Sequence, residues 1–128
     1  MNLLLDTHTF LWWAAEPAKL SPAADSALRD GANTLYLSVA SIWELQIKLQ
    51  LGKLTLSKPL PDFVQNQQHV NGMRLLAIEP AHIYGLAALP QHHKDPFDRL
   101  IIAQALAELM TVVGADGKFR AYSVSLLW

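Results

Sequence analysis

The chain has 128 residues, 52% hydrophobic and 16% charged, with a formal charge of -1 and no cysteine. The size scaling gives a folded surface of about 6,800 Å² against roughly 20,600 Å² unfolded, enough burial for one domain over residues 1–128 without staples. These figures exclude a disordered chain, a disulfide scaffold, a thiolate zinc site and a cysteine nucleophile, while the absence of a ~20-residue apolar run and of a basic start before Asp6 argues for a cytoplasmic protein with no membrane partner.

In chain order, Leu3-Leu4-Leu5 reads as a short apolar strand ending at Asp6, followed by a helix over 8–15 that stops at Glu16-Pro17. Ser21-Pro22 supplies an N-cap and a first helical residue, and Gly31 a stop. Leu35-Tyr36-Leu37 is a second strand. Ser38 or Ser41 caps a helix reaching about Leu51, with Lys48 in its last turn and Gly52 as its stop. Residues 61–70 are expected to be helical, Arg74 to Ile78 to form a third strand, and Pro80 to open a short helix. Asp95-Pro96 opens a strong helix to about Met110. Thr111-Val112-Val113 is a fourth strand, and Tyr122-Ser123-Val124 is the candidate fifth.

Short apolar strands separated by helices predict an α/β chain, with a mostly parallel sheet of 4–5 strands covered on both faces. Ligands of such sheets bind at the carboxyl ends of the strands. Acids fall at that edge. Asp6 follows the first strand, and Asp116 follows the fourth in Gly114-Ala115-Asp116-Gly117. Glu44 lies in the helix after the second strand, and Asp98 in the first turn of the helix opened by Asp95.

Each acid also has a local explanation. Asp6 suits an N-cap, Ser41-x-x-Glu44 is a capping box by spacing, Asp95 caps its helix, Asp98 sits well on the helix dipole, and Asp116-Gly117 is a turn pair. Together they are harder to explain locally. In a parallel sheet Asp6, Glu44, Asp98 and Asp116 converge, and converging carboxylates raise one another's pKa unless a cation offsets them. An all-oxygen donor set selects a hard cation, Mg²⁺ or Mn²⁺, and such a site suits hydrolysis of a phosphodiester.

The remaining residues are less informative. Lys48, Lys53 and Lys58 form a basic stretch, either a solvated rim or a phosphate-facing one. His8 is close to Asp6, and His92-His93 are expected in a solvated loop. Trp43 and Trp128 read as core. Trp12 and Trp13 are adjacent on one helix, so one of them is free for an interface. Nucleotide-cradling and nucleophile-elbow motifs are absent.

Three segments carry a family resemblance: Leu3-Leu4-Leu5-Asp6-Thr7, Ser38-x-x-Ser41-Ile42-Trp43-Glu44, and Asp95-Pro96-Phe97-Asp98-Arg99-Leu100-Ile101-Ile102-Ala103-Gln104-Ala105. In this order, and through to Ala115-Asp116, the chain resembles PIN-domain ribonucleases of the VapC-like toxin type. The resemblance implies a three-layer α/β/α fold and Mg²⁺- or Mn²⁺-dependent cleavage of RNA. It further implies a homodimer and silencing by a cognate antitoxin protein. Asp6, Glu44, Asp98 and Asp116 match the family's four metal-binding catalytic acids. In the implied mechanism Asp6, Asp98 and Asp116 hold the cation. Glu44 acts through water or a second ion, or orients the attacking water. Arg99, Lys48 and Lys118 are candidate RNA contacts, with Lys53 and Arg120 behind them. The chain departs from the pattern at Gly114, where the family often has Thr or Ser. Two other readings stand beside this one, a catalytically silent binding module on the same fold and a metal-dependent phosphatase. The opening Leu-Leu-Leu-Asp-Thr-His resembles the haloacid dehalogenase phosphatases too, but those need a second acid where His8 stands.

Overall fold

The computed structural model describes residues 1–92 and 94–128. Five strands form one sheet in the order β3-β2-β1-β4-β5, and every adjacent pair is parallel. They are β1 (Asn2–Leu5), β2 (Thr34–Ser38), β3 (Arg74–Leu76), β4 (Thr111–Val113) and β5 (Leu126–Leu127). The helices are α1 (Thr7–Ala15), α2 (Pro22–Arg29), α3 (Val39–Gln50), α4 (Leu60–Asn71), α5 (Pro80–Gly85) and α6 (Pro96–Glu108).

Alternation along the central strand builds the three layers. Leu3 and Leu5 enter one core with Phe10, Ala24, Leu28, Leu45, Leu60 and Val64, contributed by α1 to α4. Leu4 enters the other with Ile101, Ile102 and Ala105 of α6 and with Phe119 and Tyr122. Val113 and Val112 divide in the same way. All three leucines are fully buried, so the apolar run reads as a strand covered on both faces.

The expected elements are present with several corrected bounds. Ser21 caps α2 by accepting from the Ala24 amide. Ser38, not Ser41, caps α3, accepting from the Ala40 amide. Gly52 follows that helix at φ +71°, a left-handed conformation that favours glycine. β3 stops at Leu76 and not Ile78, because its partner β2 ends at Ser38, the residue paired with Leu76. α6 ends at Glu108, and Leu109 takes the left-handed conformation.

The fifth strand is Leu126–Leu127, not Tyr122–Val124. A parallel strand must first bring the chain back toward the start of its neighbour. The 3₁₀ turn Gly117–Ala121 and the segment after it make that return, and Val112 then pairs with Leu126. The tryptophans differ from expectation as well. Trp12 and Trp13 both pack, partly buried, on the Leu3–Leu5 core, and Trp12 also meets the Trp128 ring. Trp43 is 59% exposed rather than core.

Candidate active site

The strand order reverses at β1, with β2 reached on one side and β4 on the other. The crevice beyond these carboxyl ends is where an α/β sheet offers a ligand site. Asp6 stands there, as the N-cap residue of α1 with no side-chain capping bond. Its amide donates to Val113 O at 3.0 Å, tying the end of β1 to the end of β4. The Thr9 hydroxyl donates to the same carbonyl at 2.8 Å. Asp6 is therefore fixed by backbone, and its carboxylate is buried with no cap to serve.

Gly114 explains how the two strand ends approach so closely. A Cβ there would lie 3.1 Å from Asp6 Cβ and 3.4 Å from Phe119 Cε2. The side chain the family pattern leads one to expect at this position is thus sterically opposed by Asp6 itself. Two residues on, Asp116 is half-buried and caps the 3₁₀ turn by accepting from the Lys118 amide at 2.9 Å.

Glu44 is buried in the second turn of α3 with both carboxylate oxygens held. Oε1 lies 2.9 Å from Thr7 Oγ1, and Oε2 lies 3.1 Å from Lys48 Nζ. Thr7 Oγ1 is also 2.8 Å from Ser41 Oγ. A hydroxyl has one proton and a carboxylate only accepts, so Thr7 donates to Glu44 and Ser41 donates to Thr7. The capping-box reading of Ser41 and Glu44 is overturned. Ser41 supports Thr7, which holds Glu44, across 34 residues of sequence. Sequence reasoning gave Thr7 and Ser41 no such role. Their one signal was that both stand in the segments bearing Asp6 and Glu44.

Asp95 and Asp98 have different uses. Asp95 Oδ1 accepts from the Phe97 and Asp98 amides at 2.9 and 3.1 Å, so it is the cap of α6. Asp98, in that first turn, is half-buried. Its carboxyl is pushed up to about 7, by burial first and then by the charges of Asp95, Asp6, Glu44 and Asp116. Asp6 is pushed up to about 6 by burial, with Glu44 and Asp116 adding to the rise and His8 and the Thr7 amide opposing it. The four acids thus share one electrostatic neighbourhood. Among the described residues no three acid or imidazole groups are close enough to form a ready-made cation cage.

Two clefts open at the acids. One, of about 240 Å³, is lined by Asp6, His8, Trp12, Ala115 and Asp116. The other, of about 320 Å³, is lined by Glu44, Ile47, Lys48, Leu51, Lys53, Asp95, Pro96 and Phe97. Lys48 and Lys53 thus stand beside the acids, and Lys118 and Arg120 are exposed on the turn after Asp116.

Arg99 does not join them. It is buried, donating from Nη1 to Pro90 O at 2.8 Å, with Tyr122 Oη and Leu86 O each 3.4 Å from its guanidinium. Its expected place among RNA contacts is corrected, because those donors hold the chain together instead. His92 lies edge-on to Tyr122 with ring centroids 5.0 Å apart, and His93 lies outside the described residues.

Comparison with known proteins agrees with this fold. The family model described as "PIN domain" matches residues 3–124. The chain is 33% identical over 122 residues to Ribonuclease VapC22 of Mycobacterium tuberculosis, covering 94% of this chain and 92% of that relative. The fold is shared with the crystal structure of VapBC2 from Rickettsia felis bound to a DNA fragment from their promoter. The TM-score there is 0.70 at 17% identity, covering 98% of this chain and 97% of that one. It is shared also with FitAcB from Neisseria gonorrhoeae, at TM-score 0.60 and 22% identity, covering 97% and 95% of the two chains. The match along nearly its whole length shows that the chain belongs to the PIN-domain family and is a relative of the VapC ribonucleases.

Proposed function

We propose that this protein is a divalent-cation-dependent endoribonuclease and the toxin member of a toxin–antitoxin pair. The observation that carries the reading is that Asp6 and Asp116 line one cleft at the ends of β1 and β4, with Glu44 and Asp98 near enough for all these charges to add to the burial and the Asp95 charge that raise the Asp98 carboxyl. The donors fit Mg²⁺ or Mn²⁺, being carboxylate oxygens without sulfur. When bound, the cation would supply Lewis acidity and offset the charge that develops on the phosphate.

The chain's own residues do the rest. Asp6, Asp98 and Asp116 would hold the cation. Thr7 keeps Glu44 Oε1 in place, leaving Oε2 to orient the attacking water once Lys48 turns to the RNA. Lys48, Lys53 and Lys118 would draw the phosphate backbone toward the acids. The relatives' named assemblies are VapBC and FitAcB complexes, and we extend that partnership to this chain as a cognate antitoxin and a homodimer.

The test is cleavage of a mixed tRNA and mRNA pool by the wild type and by Asp6→Ala, with Mn²⁺, Mg²⁺ or EDTA. Cuts that need both the cation and Asp6 are expected. Wild-type cleavage that persists in EDTA would overturn the reading, and so would none with either cation. A second arm is thermal. Asp98→Asn removes one mutually repelling charge, so it should melt higher than the wild type without metal and gain nothing from millimolar Mn²⁺.

A further inference from the structure

At the edge of the cleft beside Glu44 stands a pair of rings that cation binding does not use. Trp43 and Phe97 meet edge-to-face across α3 and α6, with ring centroids 5.3 Å apart at 77°. Packing does not consume this pair, for Trp43 keeps 59% of its surface exposed. Phe97 is half-buried and lines the cleft together with Lys48, Lys53, Glu44 and Asp95, and Trp43 borders the cleft through its contact with Phe97.

Each ring is the sequence neighbour of a site acid, Trp43 of Glu44 and Phe97 of Asp98. The helical turns that deliver the carboxylates therefore deliver the aromatics next to them. The cleft holds about 320 Å³, at the small end for ligand sites. That suits one nucleotide and excludes a duplex. Aromatic face plus lysine is the chemistry that binds unpaired nucleotides, with the ring taking a base and the cation a phosphate. The cleft's two acids are engaged, Glu44 by Thr7 and Lys48 and Asp95 by the amides of α6, so Lys53, with Lys48 once it leaves Glu44, favours a phosphate-bearing occupant over an apolar peptide.

We propose that this cleft is a subsite for a single unstacked nucleotide of single-stranded RNA, flanking the phosphate to be cut. The base lies against Phe97 and Trp43, and its phosphate lies on Lys48 and Lys53. The subsite rests on the ribonuclease reading above and deepens it. It makes Trp43 a substrate-positioning residue and requires the target to be unpaired at that nucleotide.

The experiment compares wild type, Trp43→Ala and Trp43→Phe. Binding of a labelled mixed-sequence 12-mer RNA, single-stranded or annealed to its complement, is read by anisotropy in EDTA. KM and kcat are read with Mn²⁺ on the RNA pool, and the Mn²⁺-induced rise in melting temperature is read alongside. Trp43→Ala should weaken single-strand binding and raise KM roughly tenfold, within the range of base–aromatic stacking. Trp43→Phe should recover most of that loss. Duplex binding and the Mn²⁺ response should not move.

Unchanged single-strand binding and KM in Trp43→Ala would overturn the subsite while leaving the nuclease intact. A matching loss of the Mn²⁺ response would overturn it too, because Trp43 would then be acting through the acids. No cation-dependent cleavage by the wild type would remove the nuclease reading, and the subsite with it.

Discussion

Thr7 and Asp98 show how much of this site depends on single side chains. Thr7 gives its one proton to Glu44, and its methyl group is buried. Thr7→Val keeps the volume and removes the donor, leaving a buried carboxylate with one partner fewer. A hydrogen bond to a charged group contributes about 1.5–3 kcal/mol, so we expect a loss of that order in stability and a larger one in cleavage. Thr7→Ser should restore both in denaturant melts and activity assays. Asp98 and Asp6 set the pH dependence. With carboxyls raised to about 7 and about 6, the folded chain holds protons that the unfolded chain loses near pH 4. Stability without a cation should therefore fall as pH rises from about 4 to 7. Asp98 is partly exposed, and screening discounts the effect to about 1–2 kcal/mol, a drop of several degrees in Tm between pH 5 and 8. Millimolar Mn²⁺ should flatten the slope. A metal-free Tm that stays level or rises over this range would contradict the raised carboxyls, and with them the burial and, after it, the neighbouring acids that raise them.

The elements place these side chains through their ends rather than their interiors. β1 and β4 terminate side by side, and the Asp6 amide and Thr9 hydroxyl both use Val113 O. This junction leaves no room at residue 114. Gly114→Ala adds a Cβ 3.1 Å from Asp6 Cβ, an atom of a buried residue that cannot swing away. Overpacking of this kind costs about 1–3 kcal/mol. The Asp6 carboxylate would also move, so cleavage should fall further than the loss of folded protein explains. Activity unchanged at full occupancy of the folded state would show that the junction tolerates the shift. Arg99 works at the same scale. It joins the first turn of α6 to the segment around Leu86 and Pro90 and to Tyr122 beyond the 3₁₀ turn. The segments leading to Asp98 and away from Asp116 are thereby held to each other. Neighbouring Asp98 in sequence, Arg99 reads as a surface cation. Only the path of the chain shows its donors turned to two carbonyls and the Tyr122 hydroxyl.

The whole molecule carries a charge of -1, so its attraction for RNA rests on a few local cations and not on a basic surface. For single strands the salt slope is about -0.7 per phosphate neutralised. Lys48, Lys53 and Lys118 then predict a slope of log K against log salt near -2 in an anisotropy titration. A slope steeper than about -4 would mean a broader basic footprint than these residues supply. The parallel sheet was legible from the sequence because its signals are local. Leu3-Leu4-Leu5, Leu35-Tyr36-Leu37 and Thr111-Val112-Val113 are apolar runs bounded by capping and stop residues, and burial on both faces demands such runs. The places of Asp6 and Asp116 just past strand ends, and of Glu44 and Asp98 in early turns of their helices, followed from the same reading. The fifth strand was misplaced because a parallel pairing depends on where the neighbour begins, which lies outside the segment itself. The Ser41–Thr7–Glu44 chain, the closeness of Gly114 to Asp6, the inward turn of Arg99 and the exposed Trp43 beside Phe97 are contacts between residues far apart in sequence. Periodicity and capping chemistry specify which residues form an element and which face it buries. Contacts between elements are set by strand order and helix packing, and these the tertiary structure alone decided.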